Sequence, residues 1–151
     1  MDPPRAPTMF IGTYEHTIDE KSRLTLPARH RDALGDGVVL ARGIDRNVAV
    51  YPRETWTMTV ETRISRLDPL SSEARRLRRF FFSGAAEAAL DKQGRILVPA
   101  MLARHAGLQR EVVVAGSYDH LELWSPDAWE HHLNDVEGGI GDVAERVAER
   151  S

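Results

Sequence analysis

The stretch FIGTYEHTIDEKSRLTLPA, residues 10–28, recurs 72 residues later as FSGAAEAALDKQGRILVPA, residues 82–100. Seven of the nineteen aligned pairs are identical, whereas ordinary residue frequencies would give roughly one. The identical pairs are Phe10/Phe82, Gly12/Gly84, Glu15/Glu87, Asp19/Asp91, Arg23/Arg95, Pro27/Pro99 and Ala28/Ala100. At an offset of 73 the match continues through Val39/Val112, Gly43/Gly116, Tyr51/Trp124 and Trp56/Trp129. This self-similarity predicts an internal duplication, and two copies this small should share one core.

Each copy is predicted to contain a strand, a tight turn, a second strand, a short helix, a hairpin and a final helix. Gln93-Gly94 is predicted to be a two-residue hairpin turn, because glycine supplies the positive φ that such a turn needs. Lys21-Ser22 takes this place in the first copy and is less favourable. Pro27 and Pro99 should open the short helices, since proline at the first helical position loses no needed N–H. The glycines expected to end these helices in the left-handed conformation are Gly35 and Gly107. The remaining strands are predicted at 38–41, 48–51, 112–115 and 121–124, and Ser125 should cap the helix that carries Trp129.

A linker, residues 57–81, separates the copies and is helical by composition but broken near Asp68-Pro69. Ser71 or Ser72 can cap its second part. An apolar stripe is expected from Leu70, Ala74, Leu77 and Phe81. Six arginines oppose only two acids between residues 63 and 79. The linker is therefore a candidate for contacts between subunits or with an anionic partner.

The chain divides into five predicted segments. Residues 1–8 are proline-rich and are expected to be a disordered extension, 9–56 and 82–129 are the two modules, and 57–81 is the linker. Residues 130–151 are expected to form a C-terminal helix and acidic tail. The glycine-broken stretch 137–141 should leave only a last helical turn or two, and the tail is expected to be dispensable for folding and DNA binding.

Composition excludes several classes of protein. The absence of cysteine removes disulfides and thiolate metal sites and is compatible with a reducing compartment. No apolar run approaches a membrane span, and the first residues lack the apolar core of a signal peptide. No nucleotide-binding, hydrolase or metalloprotease motif occurs, and His131-His132 diverge too far on a helix to share a metal. We expect an intracellular protein that is not an enzyme, with no catalytic or metal-binding residues, no cofactor, no small-molecule substrate and no membrane partner.

The repeated acid–arginine pairs are the strongest candidates for function. Asp19 and Arg23, like Asp91 and Arg95, lie four residues apart across a tight turn, so both side chains of a pair should emerge at one exposed tip. The carboxylate can accept from the guanidinium and fix its plane, with the remaining donors directed outward toward guanine or a phosphate. The alternative is a surface salt bridge that only shapes the turn. Retention of both pairs in two otherwise diverged copies favours the functional interpretation.

Three arginines on the short helices, Arg29, Arg31 and Arg104, are candidate phosphate contacts, although a solvated helix face is the favoured explanation for them. The net charge of −3 neither favours nor excludes a nucleic-acid partner, because an acidic C-terminal segment can mask a basic surface elsewhere. Pro27/Pro99, Gly12/Gly84 and Trp56/Trp129 are assigned to folding.

The segments FIGTYEHTIDEKSRLTLPARHRDAL and LRRFFFSGAAEAALDKQGRILVPAMLARHAGL closely resemble the MraZ family of bacterial transcriptional regulators. The resemblance covers about residues 9–129 and rests on the doubled D-x-x-x-R motif and the RFFFSGA segment between the copies. It implies an α+β fold of two tandem AbrB-like swapped-hairpin modules, paired within one chain as a pseudo-dimer. Ser22 departs from the pattern, since family members usually have glycine there. Family proteins also usually begin at a methionine that matches Met9.

The resemblance also implies a function: a ring-shaped homo-oligomer that binds direct repeats in the promoter of the division and cell-wall gene cluster, usually as a repressor. The partners implied are double-stranded promoter DNA and further copies of the chain, and the location is the cytoplasm, on the nucleoid. The DNA-contacting residues expected are Asp19, Lys21, Arg23, Asp91, Gln93, Gly94 and Arg95. The alternative is an oligomeric scaffold or an antitoxin-like module that binds protein on the same fold.

Overall fold

The protein was analysed as a computed structural model, which describes residues 9–151, so the expectation of disorder for residues 1–8 lies outside the described residues. The fold is α+β, as predicted. The strands are β1 (Thr13–Thr17), β2 (Arg23–Thr25), β3 (Val38–Arg42), β4 (Val48–Pro52), β5 (Ala86–Ala88), β6 (Arg95–Leu97), β7 (Glu111–Gly116) and β8 (Leu121–Trp124). The helices are α1 (Arg53–Trp56), α2 (Thr62–Ser65), α3 (Ser72–Ser83), α4 (Ala100–Ala106) and α5 (Pro126–Glu149). A π-helical turn, Thr57–Glu61, joins α1 to α2.

The two copies exchange strands. One antiparallel sheet has the order β1-β7-β8-β4-β3-β5, and a second, two-stranded sheet pairs β2 with β6. Strand β1 of the first copy therefore pairs with β7 of the second, with Thr13 opposite Ala115, and β5 of the second copy pairs with β3 of the first. This exchange confirms the swapped-hairpin pseudo-dimer.

A single core lies between the inner face of the large sheet and the β2–β6 pair. Alternate residues of the strands face it, as the twofold period of a strand requires. Its members include Leu40, Val50, Val114 and Leu121 from the large sheet, Leu24 and Ile96 from the small one, and Leu34 and Leu102 from the segments that follow. Both copies contribute, because neither hairpin buries its apolar face alone.

The linker helices and α5 cover the outer face of the large sheet at its two sides. Trp56 and Phe82 pack over β3 with Val39, while Ala128 and Trp129 of α5 pack over β7 with Val113. The predicted break near Asp68 is confirmed, and Ser71 rather than Ser72 caps α3 by accepting from the Ala74 N–H. The predicted cap at Ser125 is also confirmed, since its hydroxyl accepts from the Ala128 N–H. Of the predicted linker stripe, Ala74 is buried, but Leu70 is 87% exposed.

Three local predictions were wrong. The segment after Pro27 forms two 3-10 turns, Ala28–His30 and Asp32–Leu34, rather than a helix; its His30 is buried against Phe10, where its Nε2 contacts the Ile11 carbonyl oxygen. Gly35 is right-handed, with φ −64°, whereas Gly107 is left-handed as predicted. The glycines of residues 137–141 do not break α5, which continues to Glu149.

No helix within residues 9–151 is long and apolar enough to cross a membrane.

His120 joins two carboxylates on the outer face of the sheet. Its Nδ1 lies 2.6 Å from Asp119 and its Nε2 lies 3.4 Å from Glu122, and its ring stacks on Tyr51 at 4.4 Å. Burial alone would lower the pKa of His120, but the hydrogen bonds and negative charges of the two carboxylates outweigh it and raise the pKa. The same burial and charges raise the pKa of Tyr51 to about 12. Folding thus makes the imidazolium form of His120 more favourable than it is in an unperturbed histidine.

Because the folded-state pKa of His120 lies above its ordinary value of 6.5, this contact stabilises the protein fully below that pH and is lost as pH rises through the folded-state pKa. We expect the thermal midpoint to fall as the pH rises above about 6.5, and to fall less in His120→Gln. His131→Gln, a change at an exposed histidine on α5, serves as the matched control. Identical pH profiles for His120→Gln and the parent would contradict the assignment.

Candidate nucleic-acid interface

The segment Asp19–Arg23 forms a three-residue loop rather than the predicted two-residue turn. The Ser22 N–H donates to the Asp19 carbonyl oxygen at 3.0 Å, and the Asp19 N–H donates to the Arg23 carbonyl oxygen at 2.9 Å. Ser22 is left-handed, with φ 61°, as the last residue of such a loop commonly is. The turn thus begins at the aspartate, which explains why the repeated pair is four residues apart. We call this loop tip 1.

Tip 2, Asp91–Arg95, has the same geometry. The Gly94 N–H donates to the Asp91 carbonyl oxygen at 3.0 Å, and Gly94 has φ 75°. Ser22 therefore gives tip 1 the same conformation as tip 2. Unlike glycine, however, serine pays a steric cost for the left-handed conformation.

Each aspartate organises its tip through both carboxylate oxygens. Oδ1 of Asp19 accepts from the backbone N–H groups of Lys21 and Arg23, each at 2.9 Å. Its Oδ2 accepts from Nε of Arg23 at 2.8 Å. Asp91 repeats the pattern, with Nε of Arg95 also at 2.8 Å. One carboxylate oxygen thus closes the turn, and the other holds the arginine side chain.

These bonds keep the aspartates charged. The backbone N–H of Arg23 has the largest influence on the pKa of Asp19 and lowers it. Desolvation opposes this effect, but the guanidinium bond and the Lys21 N–H lower the pKa further, so the net change is downward. The pKa of Asp91 is lowered for the same reasons by Arg95. Since these pKa values are depressed, the arrangement persists at all pH values above the ordinary range of a carboxyl group.

The two tips lie side by side. Strands β2 and β6 pair with Arg23 opposite Leu97, and the pairing is extended by the left-handed residues. The Leu26 N–H donates to the Gly94 carbonyl oxygen at 2.9 Å, and the Val98 N–H donates to the Ser22 carbonyl oxygen at 2.8 Å. Sequence reasoning did not predict that each tip would be joined to the strand of the other copy.

One ion pair crosses between the tips. Nη1 of Arg95 lies 4.0 Å from Oδ2 of Asp19, and Nη2 of Arg95 donates to Oε1 of Gln93 at 3.4 Å. The side chains of Arg23 and Arg95 remain 33% and 26% exposed. Both guanidinium groups are therefore fixed at Nε and still present N–H donors to solvent.

The surroundings of the tips are not symmetrical. Beside tip 1 a cleft of about 630 Å³ is lined by Asp19, Arg104 and Arg110, both of these arginines being exposed. Arg110 was not identified from the sequence; its backbone carbonyl accepts from the Ile18 N–H at 2.7 Å, which places it next to the tip. This position depends on the exchanged pairing of β1 with β7, so no local signal could have found it.

The other candidate phosphate contacts differ in environment. Nε of Arg31 donates to the Leu26 carbonyl oxygen at 3.0 Å, and the same side chain covers Gly94. Arg31 is thus held against the body of the protein, whereas Arg29 is exposed.

The unequal turns predict opposite effects of two substitutions. Ser22→Gly should raise the free energy of unfolding by about 0.5–1 kcal/mol, because relief of left-handed strain exceeds the entropy cost of glycine. Gly94→Ser should lower it by about 1–2 kcal/mol, because a side chain there would also overlap Arg31. Thermal melts measure both, at about 2–4 °C per kcal/mol. A stabilising Gly94→Ser would show that the left-handed turn is not required.

Comparison with known proteins identifies the family of the chain and accounts for its duplication. The sequence profile of the family described as "MraZ protein, putative antitoxin-like" matches twice, at residues 9–80 and 81–150. The chain belongs to the MraZ family. Each match contains one hairpin tip, so the repeat found by self-comparison is the MraZ unit.

Individual MraZ relatives cover almost the whole chain. The transcriptional regulator MraZ of Roseiflexus castenholzii is 46% identical over 141 residues, which is 93% of this chain and 98% of the relative. The transcriptional regulators MraZ of Heliobacterium modesticaldum and Ligilactobacillus salivarius are each 43% identical over 139 residues, 92% of this chain and 96% of each relative.

Proposed function

We propose that this protein is a transcriptional regulator that binds specific DNA sequences through its paired tips. The observation that carries the proposal is the pair of guanidinium groups, each oriented by an aspartate at 2.8 Å and both on one exposed surface. A planar fork of N–H donors held at this angle suits the O6 and N7 acceptors of guanine in the major groove. The relatives' name, transcriptional regulator, supports the same function.

The proposed base-contacting set is Asp19, Lys21, Arg23, Asp91, Gln93, Gly94 and Arg95. Arg23 and Arg95 read bases, the aspartates orient them, and Lys21 and Gln93 extend the contact at the rim of each tip. Arg29, Arg104 and Arg110 contact phosphates, with Arg104 and Arg110 acting beside tip 1. Arg31 contributes mainly by supporting Gly94.

The proposed target is a promoter with short direct repeats, and the proposed active form is a ring of identical subunits. One pair of tips contacts few base pairs and binds weakly, whereas several pairs on one ring raise the effective concentration at neighbouring sites. By the family resemblance, the promoter is that of the division and cell-wall gene cluster, the effect is repression, and the protein acts in the cytoplasm on the nucleoid.

The decisive experiment is a gel-shift titration with the DNA upstream of the protein's own gene. We expect a discrete complex that is lost when the repeats are scrambled at constant base composition. Light scattering coupled to size-exclusion chromatography should give a mass above that of a dimer. Equal affinity for the intact and scrambled repeats would refute sequence-specific binding, and a monomer mass at micromolar concentration would refute the ring.

The second candidate is a protein-binding module, favoured by the antitoxin-like description of the family and by exposed apolar side chains on the linker. Met58 is 69% exposed and Leu70 is 87% exposed. The gel shift separates the two functions, because a module that only binds protein would not distinguish the repeats.

A further inference from the structure

The last three-quarters of α5 carry an apolar seam that the rest of the described chain, residues 9–151, leaves largely uncovered. Its members are Leu133, Val136, Ile140, Val143 and Val147, spaced alternately three and four residues apart. This is the spacing by which a helix presents one stripe to a partner. Ile140 and Val147 are 55% and 59% exposed. The contacts of α5 with the body come from its first turns, through Ala128, Trp129 and His132.

The helix is costly to maintain on its own. Three glycines, Gly138, Gly139 and Gly141, lie within it, and each costs about 1 kcal/mol relative to alanine in a helix. A helix with this composition and an exposed apolar seam is stabilised most effectively by packing against another surface.

An open groove crosses the middle of the outer face of the large sheet. The linker helices cover one side of this face and the start of α5 covers the other, which leaves part of β4 and β8 between them. The floor includes the small side chains of Ala41 and Ala49, one wall is formed by Trp56 and Val60, and Glu122 lies opposite. The volume of about 340 Å³ is at the small end of the range for ligand sites, roughly 300–1,000 Å³, and suits a few aliphatic side chains.

Charge identifies the occupant. The groove itself is lined by two arginines, Arg42 and Arg63, and by two acids, Asp45 and Glu122. The positive charge beside it comes from the adjoining linker, in which six arginines oppose two acids between residues 63 and 79. Between residues 130 and 149, α5 has six acids and one arginine. Two copies of α5 packed together would repel each other, whereas α5 beside the linker is attracted.

We infer that the seam of α5 docks into the outer-face groove of a neighbouring copy, with its acidic flank toward the arginine-rich linker. This contact joins two different surfaces, so repeating it around an axis closes a ring. The inference deepens the assembly part of the proposed function and rests on it. It replaces the expectation that the tail is dispensable for DNA binding, because loss of the ring would separate the tips that bind together.

Cross-linking tests the contact directly, because the chain has no cysteine of its own. Val143→Cys places a thiol on the seam, Thr59→Cys places one at the groove, and Glu145→Cys places a control thiol on the opposite side of α5. One variant of each mixture carries a tag that changes its mass. With a short bismaleimide, the seam and groove variants should give mixed covalent dimers, and the control and groove variants should not. Self-linking of Val143→Cys without mixed product would mean that two α5 helices pair, and would overturn the inference.

A substitution gives an independent measure. Ile140→Asp should shift the mass in light scattering from the ring toward the monomer at concentrations where the parent is assembled. Asn134→Asp adds the same charge on the opposite side of α5 and should leave the mass unchanged. An unchanged mass for Ile140→Asp would overturn the inference while the ring proposal stood. A monomeric parent would overturn both the inference and the ring, whereas base reading by the tips is judged separately, from the gel shifts.

Discussion

Replacing Arg23 or Arg95 by alanine should abolish the specific complex with promoter DNA while the protein stays folded. Loss of a bidentate base contact costs about 1–3 kcal/mol per site, and in the proposed ring this loss is multiplied over several subunits. Folding should hardly change, because both side chains lie at exposed tips and their ion pairs are partly solvated. Binding titrations at two salt concentrations, with thermal melts of the same preparations, measure both effects.

Two further variants distinguish base reading from general attraction. Asp19→Ala should reduce affinity less than Arg23→Ala, since it removes the orienting group and leaves the reader. Arg104→Ala should weaken binding to all sequences and reduce the salt slope by about one, because it removes a proposed phosphate contact. If Arg23→Ala and Arg95→Ala bind like the parent, the aspartate–arginine pairs only shape the turns. The DNA surface would then lie elsewhere, with the arginines of α3 the next candidates.

A half-chain that ends after Phe81 should not be a folded monomer. In the intact protein β1 pairs with β7, β2 with β6 and β3 with β5, so each of these strands of the first copy depends on the second. Without the second copy, the half-chain would expose the edges of these three strands and of β4, which pairs with β8, together with the core residues between them. We expect either no cooperative thermal transition or a dimer in which two half-chains exchange strands.

Circular dichroism melts and light scattering distinguish these results. Mixing residues 9–81 with residues 82–151 should restore a cooperative transition, because the missing strands are supplied. A monomeric half-chain with a sharp transition of its own would show that the exchange is not needed for folding.

Several parts of the structure followed from the sequence because local chemistry controls them. The duplication was detectable because both copies keep the residues that the turns require. Strands β3, β4 and β7 followed from valine-rich runs, and β8 followed from its alternating leucines and a tryptophan. The caps at Ser71 and Ser125 followed from hydroxyls that satisfy free N–H groups. The bonds from Asp19 to Arg23 and from Asp91 to Arg95 were predictable for the same reason, since each involves side chains only four residues apart.

Other features required the tertiary structure. The pairing of the strands depends on how the two copies share one core. The junction of the two tips and the position of Arg110 therefore could not be predicted from nearby residues in the sequence. The segment after Pro27 resembles a helix in sequence, yet burial of His30 against Phe10 accompanies two 3-10 turns there instead. In α5 the glycines suggested a break, but the cap at Ser125 and the packing of Trp129 fix its start, and the helix continues. The sequence by itself determined the repeat, the positions of the turns and the chemistry of the tips, because these depend on neighbours along the chain. Only the tertiary structure decided how the copies interlock and which surfaces remain open, because burial depends on residues far apart in sequence.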